Sequence, residues 1–158
     1  MADDAQLRDH LRYLLGGGGA HLSFDELIGD FPEQAINGRI DGVPYTPWQV
    51  LEHMRLAQWD ILEFSRNPKH VSPPFPDGYW PDRELEATAS IWQQSVSDFR
   101  RDLQEMLELA TSSADLMRPI PGGDGQTLLR EALLVADHNA YHLGALTLMK
   151  RILGHGTK

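Results

Sequence analysis

The sequence predicts an all-α fold, a four-helix bundle. Three observations lead there. Four long segments repeat apolar residues at steps of three and four, the spacing of one helix face. Alternating polar and apolar runs, the mark of a half-buried strand, are almost absent. Between the segments stand clusters of Gly and Pro that interrupt helices. Helices with one apolar face each bury those faces against one another. With 158 residues, a single domain over 1–158 with a substantial core is expected.

The first helix is expected over Asp3 to Leu15, with Leu7, Leu11 and Leu14 as its buried stripe. Gly16-Gly17-Gly18-Gly19 ends it, because a glycine costs about 1 kcal/mol relative to alanine inside a helix. The glycine run is not a phosphate loop. That pattern closes on Gly-Lys-Ser/Thr, and here Ala20-His21 follows. Ser23 with Glu26 forms a capping box and opens a short helix that ends before Pro32. Residues 37–45 read as a loop.

Thr46-Pro47-Trp48-Gln49 is the clearest helix start: Thr caps, Pro fits the first position, and Gln completes the box. This helix runs to about Arg66, since Pro68 disfavours helical geometry at Asn67. Val50, Met54, Ala57, Ile61 and Phe64 form its core stripe, and His53 sits on the flank, pointing into the bundle. Residues 68–81 hold five prolines with Phe75, Tyr79 and Trp80. They read as an ordered crossover, or as a loop that lines or lids a pocket, because the aromatics need cover.

A third long helix is expected from Glu84 to Ala110, with Trp92, Val96, Phe99, Leu103, Met106 and Ala110 inward. Asp98, Arg100, Arg101, Asp102, Glu105 and Glu108 read as its solvated face. Residues 111–126 form a loop in which Asp115-Leu116-Met117 makes one turn. The fourth long helix runs from Thr127 to Leu153. One stripe is Leu129, Leu133, Ala136, Ala140, Leu143 and Thr147. Its neighbour is Leu128, Glu131, Val135, His138, His142, Ala145 and Met149. Together they give a wide inward face.

Composition removes several function classes. A net charge of -9 disfavours nonspecific contact with nucleic acid or anionic membrane. With no cysteine, disulfides, iron–sulfur clusters and thiolate metal sites are excluded, and a transition metal must be held by His, Asp or Glu. No apolar run reaches the roughly 18 residues of a membrane span. The acidic start Met1-Ala2-Asp3-Asp4 is unlike a signal peptide, so a cytoplasmic location is expected.

Chemistry concentrates in Asp137-His138-Asn139-Ala140-Tyr141-His142-Leu143-Gly144. Histidines at i and i+4 stack on one helix face and can hold one metal ion from one side. A third ligand must come from another helix, and His53 is the candidate. The competing reading is three separate core or boundary histidines. Burying imidazoles without partners would cost roughly 1–3 kcal/mol per unsatisfied nitrogen, and a shared metal removes that cost. A zinc protease is rejected. Its His-Glu-x-x-His motif needs a general base where Asn139 stands, and an amide takes no proton from water. A di-iron carboxylate site is rejected as well. Glu52 directly precedes His53 and Glu131 lies seven before His138, so Glu-x-x-His is missing at both places. His10, His21, His70 and His155 read as surface or loop residues, with His10 a lesser candidate for the pocket.

These residues resemble the DinB-like superfamily of metal-binding four-helix bundles. The resemblance is carried by Thr46-Pro47-Trp48-Gln49-Val50-Leu51-Glu52-His53 and by the 137–144 block, with their separation, and spans nearly the whole chain. It implies a four-helix bundle of the DinB-like type with up-down-down-up connectivity, a divalent metal on His53, His138 and His142, and a homodimer. It also implies kinship with transferases and isomerases that use low-molecular-weight thiols.

Three neutral histidines leave a metal its full charge and at least one open position, the pattern of catalytic rather than structural sites. Zn, Ni, Fe and Mn all suit imidazole. Such a site would activate a thiolate or water for transfer or hydrolysis of a small molecule. The alternative is a noncatalytic metal-binding, stress-related bundle protein. Asp60, Glu131 and Tyr141 are candidates to support the site. The first two would accept imidazole N–H groups, and Tyr141 would donate a hydrogen bond or act in catalysis.

Overall fold

The computed structural model describes residues 2–17, 19–112 and 114–154. Helix α1 spans Ala2–Leu15, short helix α2 Phe24–Ile28, α3 Pro47–Arg66, α4 Ala89–Thr111 and α5 Leu128–Gly154. Single 3₁₀ turns occur at Glu33–Ala35 and Asp77–Tyr79. Both sequence-signalled capping boxes form: Ser23 with Glu26 on α2, and Thr46 with Gln49 on α3. Thr88 caps α4 by accepting from Ile91 N. No helix among the described residues is long and apolar enough to cross a membrane.

Two clusters of buried residues set the helix directions. Trp48, Leu51 and Met54 at the start of α3 meet Trp92, Val96 and Phe99 at the start of α4. Leu143, Leu146 and Met149 from the end of α5 join them. In the other cluster Leu62 lies with Met106, Ala110, Leu128, Ala132 and Val135. Helices α3 and α4 therefore run parallel, and α5 runs against both. Arg8 of α1 donates to the Ala110 and Ala114 carbonyls at the end of α4, at 3.0 and 2.8 Å. Leu15, two turns later, lines one pocket with Leu103 and Asn139 in mid-bundle. Helix α1 thus opposes α4, giving up-down-down-up. A parallel α3–α4 pair cannot be joined by a tight turn, so residues 67–88 cross from one end of the bundle to the other.

The structure revises several expected positions. Helix α4 begins at Ala89, five residues later than expected. The intervening backbone is engaged elsewhere. Gln49 Nε2 donates to the carbonyls of Asp82, Arg83 and Leu85 at 3.3, 2.9 and 3.3 Å. Asn37 bonds both the N–H and the carbonyl of Ala87. On α1 the inward residue is Leu15, while Leu14 is exposed, since the step from Leu11 is four. Leu133 is exposed on α5, and the buried line runs through Ala132, Val135, Asn139 and Leu146. Asp102, expected in solvent, is only 2% exposed. It leans against Arg101 with Oδ2 unpartnered, and burial raises its pKa above the ordinary carboxylate value.

Candidate metal centre

His53 lies two turns into α3, and His138 and His142 one above the other on α5, which packs against α3. The three side chains converge. Each offers a nitrogen, and these atoms all lie within 4.8 Å of one another. His53 Nε2 and His138 Nε2 are 3.1 Å apart. The rings meet edge to face, with centroid distances of 4.9, 4.7 and 4.5 Å for the pairs 53–138, 53–142 and 138–142.

The 68–81 crossover supplies one wall. The Tyr79 carbonyl accepts from His53 Nδ1 at 2.9 Å. This places the proton on Nδ1 and leaves Nε2 a bare lone pair aimed at the other two histidines. Trp80 stacks flat on His53, with centroids 3.8 Å apart and planes 1° from parallel. Tyr45 stacks on the far face of Trp80 at 3.7 Å. Of the crossover aromatics, Trp80 finds its cover between His53 and Tyr45, so this end of the loop walls the histidine cluster, whereas Phe75, expected to need cover, is 88% exposed. A cleft of about 360 Å³ opens beside Trp80, lined by Tyr45, Pro76, Asp77, Pro81, Asp82 and Arg83.

Burial keeps the imidazoles uncharged. It lowers the His53 pKa, partly opposed by the Tyr79 bond. Burial, then the proximity of His53, pushes His138 down to about 4. Burial, then its two neighbours, pushes His142 down to about 3. At neutral pH none of the three carries a charge, the protonation state that metal binding requires. Three imidazoles with no carboxylate in the cluster can hold a divalent ion while leaving it an open position. The orientation of His53 by a backbone carbonyl is the support metal-ligating histidines usually receive.

The supporting candidates fare differently. Asp60 does not touch His53. It bonds His70 Nε2 and the Tyr79 hydroxyl, each at 2.7 Å. Glu131 is buried but pairs with Arg130 at 2.5 Å, two turns from His138. Tyr141 is 76% exposed, its ring edge-on to His142 at 4.9 Å. His10 is exposed and lies outside the pocket, because it falls one residue before the inward Leu11. His70, read as a surface or loop residue, is on the loop but has its ring tucked against Trp59 and Asp60. His21 is exposed, and His155 lies outside the described residues. Asn139 points away from the histidines, donating from Nδ2 to Gln58 Oε1 at 2.8 Å within the core. Sequence reasoning missed Tyr79 and Trp80 as individual contributors. The available signal was two adjacent aromatics in a proline-rich crossover; a backbone carbonyl carries no signal of its own.

The family model of the DinB superfamily matches residues 21–146, a span that contains all three histidines. No curated protein and no solved structure matches the chain.

Proposed function

The chain belongs to the DinB superfamily, and from that premise we propose that it is a metal-dependent enzyme acting on a small molecule. In this reading His53, His138 and His142 hold one divalent ion, Zn, Ni, Fe or Mn, and the protein transfers or hydrolyses its substrate with a thiolate or water as nucleophile. The observation that carries it is the convergence of three imidazole nitrogens within 4.8 Å, free of carboxylates. When bound, the ion supplies Lewis-acid chemistry that makes a nucleophile available at neutral pH.

The chain's own residues do the rest. His53 is held as the Nδ1–H tautomer by the Tyr79 carbonyl, so its coordinating nitrogen is preset. Trp80 shields one face of that ring from water. In this reading a small substrate, or a low-molecular-weight thiol, approaches along the cleft beside Trp80, the residue that links it to the His53 ring. Tyr141, edge-on to His142, is the nearest exposed hydroxyl-bearing side chain on α5 and serves as a hydrogen-bond donor to what enters.

The test is a titration of cobalt-substituted protein with a low-molecular-weight thiol. A new near-ultraviolet charge-transfer band that saturates with thiol is expected. Cobalt-loaded protein whose spectrum ignores the thiol would remove the transferase reading and leave hydrolysis.

A further inference from the structure

We propose that Asp60 is a positioning residue of the metal centre: its carboxylate straps residues 70–80 to α3 and thereby fixes the tautomer and plane of the His53 ring. The proposal rests on the three-histidine reading above.

Asp60 lies seven residues beyond His53, too far along α3 to reach the imidazole directly. It is buried, 8% exposed, and both of its oxygens are used. Oδ1 accepts from His70 Nε2 and Oδ2 from the Tyr79 hydroxyl, each at 2.7 Å. Charge-assisted bonds of this length are the stronger kind and hold geometry closely. The two partners bracket the strap. His70 is its entry, further seated by an edge-on contact with Trp59 at 5.2 Å. Tyr79 is its exit.

Fixing the Tyr79 side chain fixes the residue that does two things to His53. Its carbonyl takes the Nδ1 proton at 2.9 Å, and its successor, Trp80, lies flat on the ring. A free imidazole favours the opposite tautomer, with the proton on Nε2. That carbonyl favours the Nδ1–H form, as does His138 Nε2, 3.1 Å from His53 Nε2, when it donates. If the strap shifts by an ångström or two, the carbonyl is lost and the coordinating nitrogen becomes protonated. A single buried carboxylate outside the centre thus biases whether one of three ligands is presented with its lone pair free.

The experiment pairs a metal-free readout with a metal-binding one, on Asp60→Asn, Tyr79→Phe and a control, Asp102→Asn. The control alters a carboxylate at least as buried, on α4. Long-range ¹⁵N spectra of the metal-free full chain report the His53 tautomer. Zinc affinity is measured by chelator competition. In the unmodified protein His53 should appear as pure Nδ1–H. Asp60→Asn and Tyr79→Phe should mix the tautomers and weaken zinc binding 10- to 100-fold, the usual consequence of losing a ligand's support. Asp102→Asn should change neither, whatever it does to thermal stability. Should Asp60→Asn not fold, Tyr79→Phe, which keeps the ring and loses one oxygen, decides alone. A folded Tyr79→Phe protein that keeps a single Nδ1–H signal and binds zinc within twofold of the original overturns the proposal. Unmodified protein that binds no zinc overturns the metal reading instead, and the tautomer signal still judges Asp60.

Discussion

The His53 ring is held from three directions: the Tyr79 carbonyl on Nδ1, Trp80 on one face, and His138 at Nε2. Each side chain at this point has a cost without a partner. A buried imidazole that stays neutral in the fold but protonates in the unfolded chain makes stability depend on pH. Here the folded values of His138 and His142 are about 4 and about 3, below the ordinary 6.5. Between those values the unfolded chain binds more protons than the folded one. Stability of the metal-free protein therefore falls as pH drops below about 6.5, and the loss continues to about pH 3–4. Melting temperatures of metal-free protein at pH 7.5 and pH 5.0 check this. A lower value at pH 5.0 is expected, with a smaller difference in His142→Leu. A pH-independent midpoint would contradict the burial of these rings. At this scale the sequence is informative about which histidines converge and poor about what holds them. Spacing on α5 marks His138 and His142 as one unit, since i and i+4 share a face. That Asp60 would act through Tyr79 was not legible, because the intermediary is a main-chain carbonyl brought back by a crossover.

Among the elements, α3 carries most of the site. Its start, Thr46-Pro47-Trp48-Gln49, is readable to the residue because capping chemistry is local. What the motif conceals is the second task of Gln49. Its Oε1 completes the box to Thr46 N at 3.0 Å, while its Nε2 holds the carbonyls of Asp82, Arg83 and Leu85. One buried side chain thus starts α3 and anchors the exit of the crossover. Gln49→Ala removes both the cap partner and the anchor to the part-buried carbonyls of Asp82, Arg83 and Leu85, for a loss of about 2 kcal/mol. Denaturant unfolding should show a lower midpoint at unchanged slope; a change under about 0.5 kcal/mol would mean that the segment is held by other contacts. The start of α4 lies later than its pattern predicts for the same reason: residues 84–88 have acceptable helix propensity, but Gln49 and Asn37 claim the backbone of Leu85 and Ala87. Asp102 shows the opposite limit. Charge density on α4 predicts a solvated face, yet Asp102 falls one residue before the partly buried Leu103 and is drawn under.

For the whole molecule, four periodic segments and an absence of strand patterning are enough to specify a bundle, because apolar stripes have few other ways to be covered. Helix directions needed long-range packing. The parallel α3–α4 pair follows from shared clusters, and it explains why a long proline-rich crossover exists at all. That crossover then becomes a wall of the site, so topology and site are one arrangement. Residues 21–146, matched by the DinB superfamily, include the crossover and all three histidines. The central claim is that these histidines hold one divalent ion. Elemental analysis of purified, metal-reconstituted protein beside His142→Ala tests it most directly. About one equivalent of divalent metal per chain is predicted for the unmodified protein, falling close to zero in folded His142→Ala. Equal metal content in the two proteins, or none in either, would contradict it.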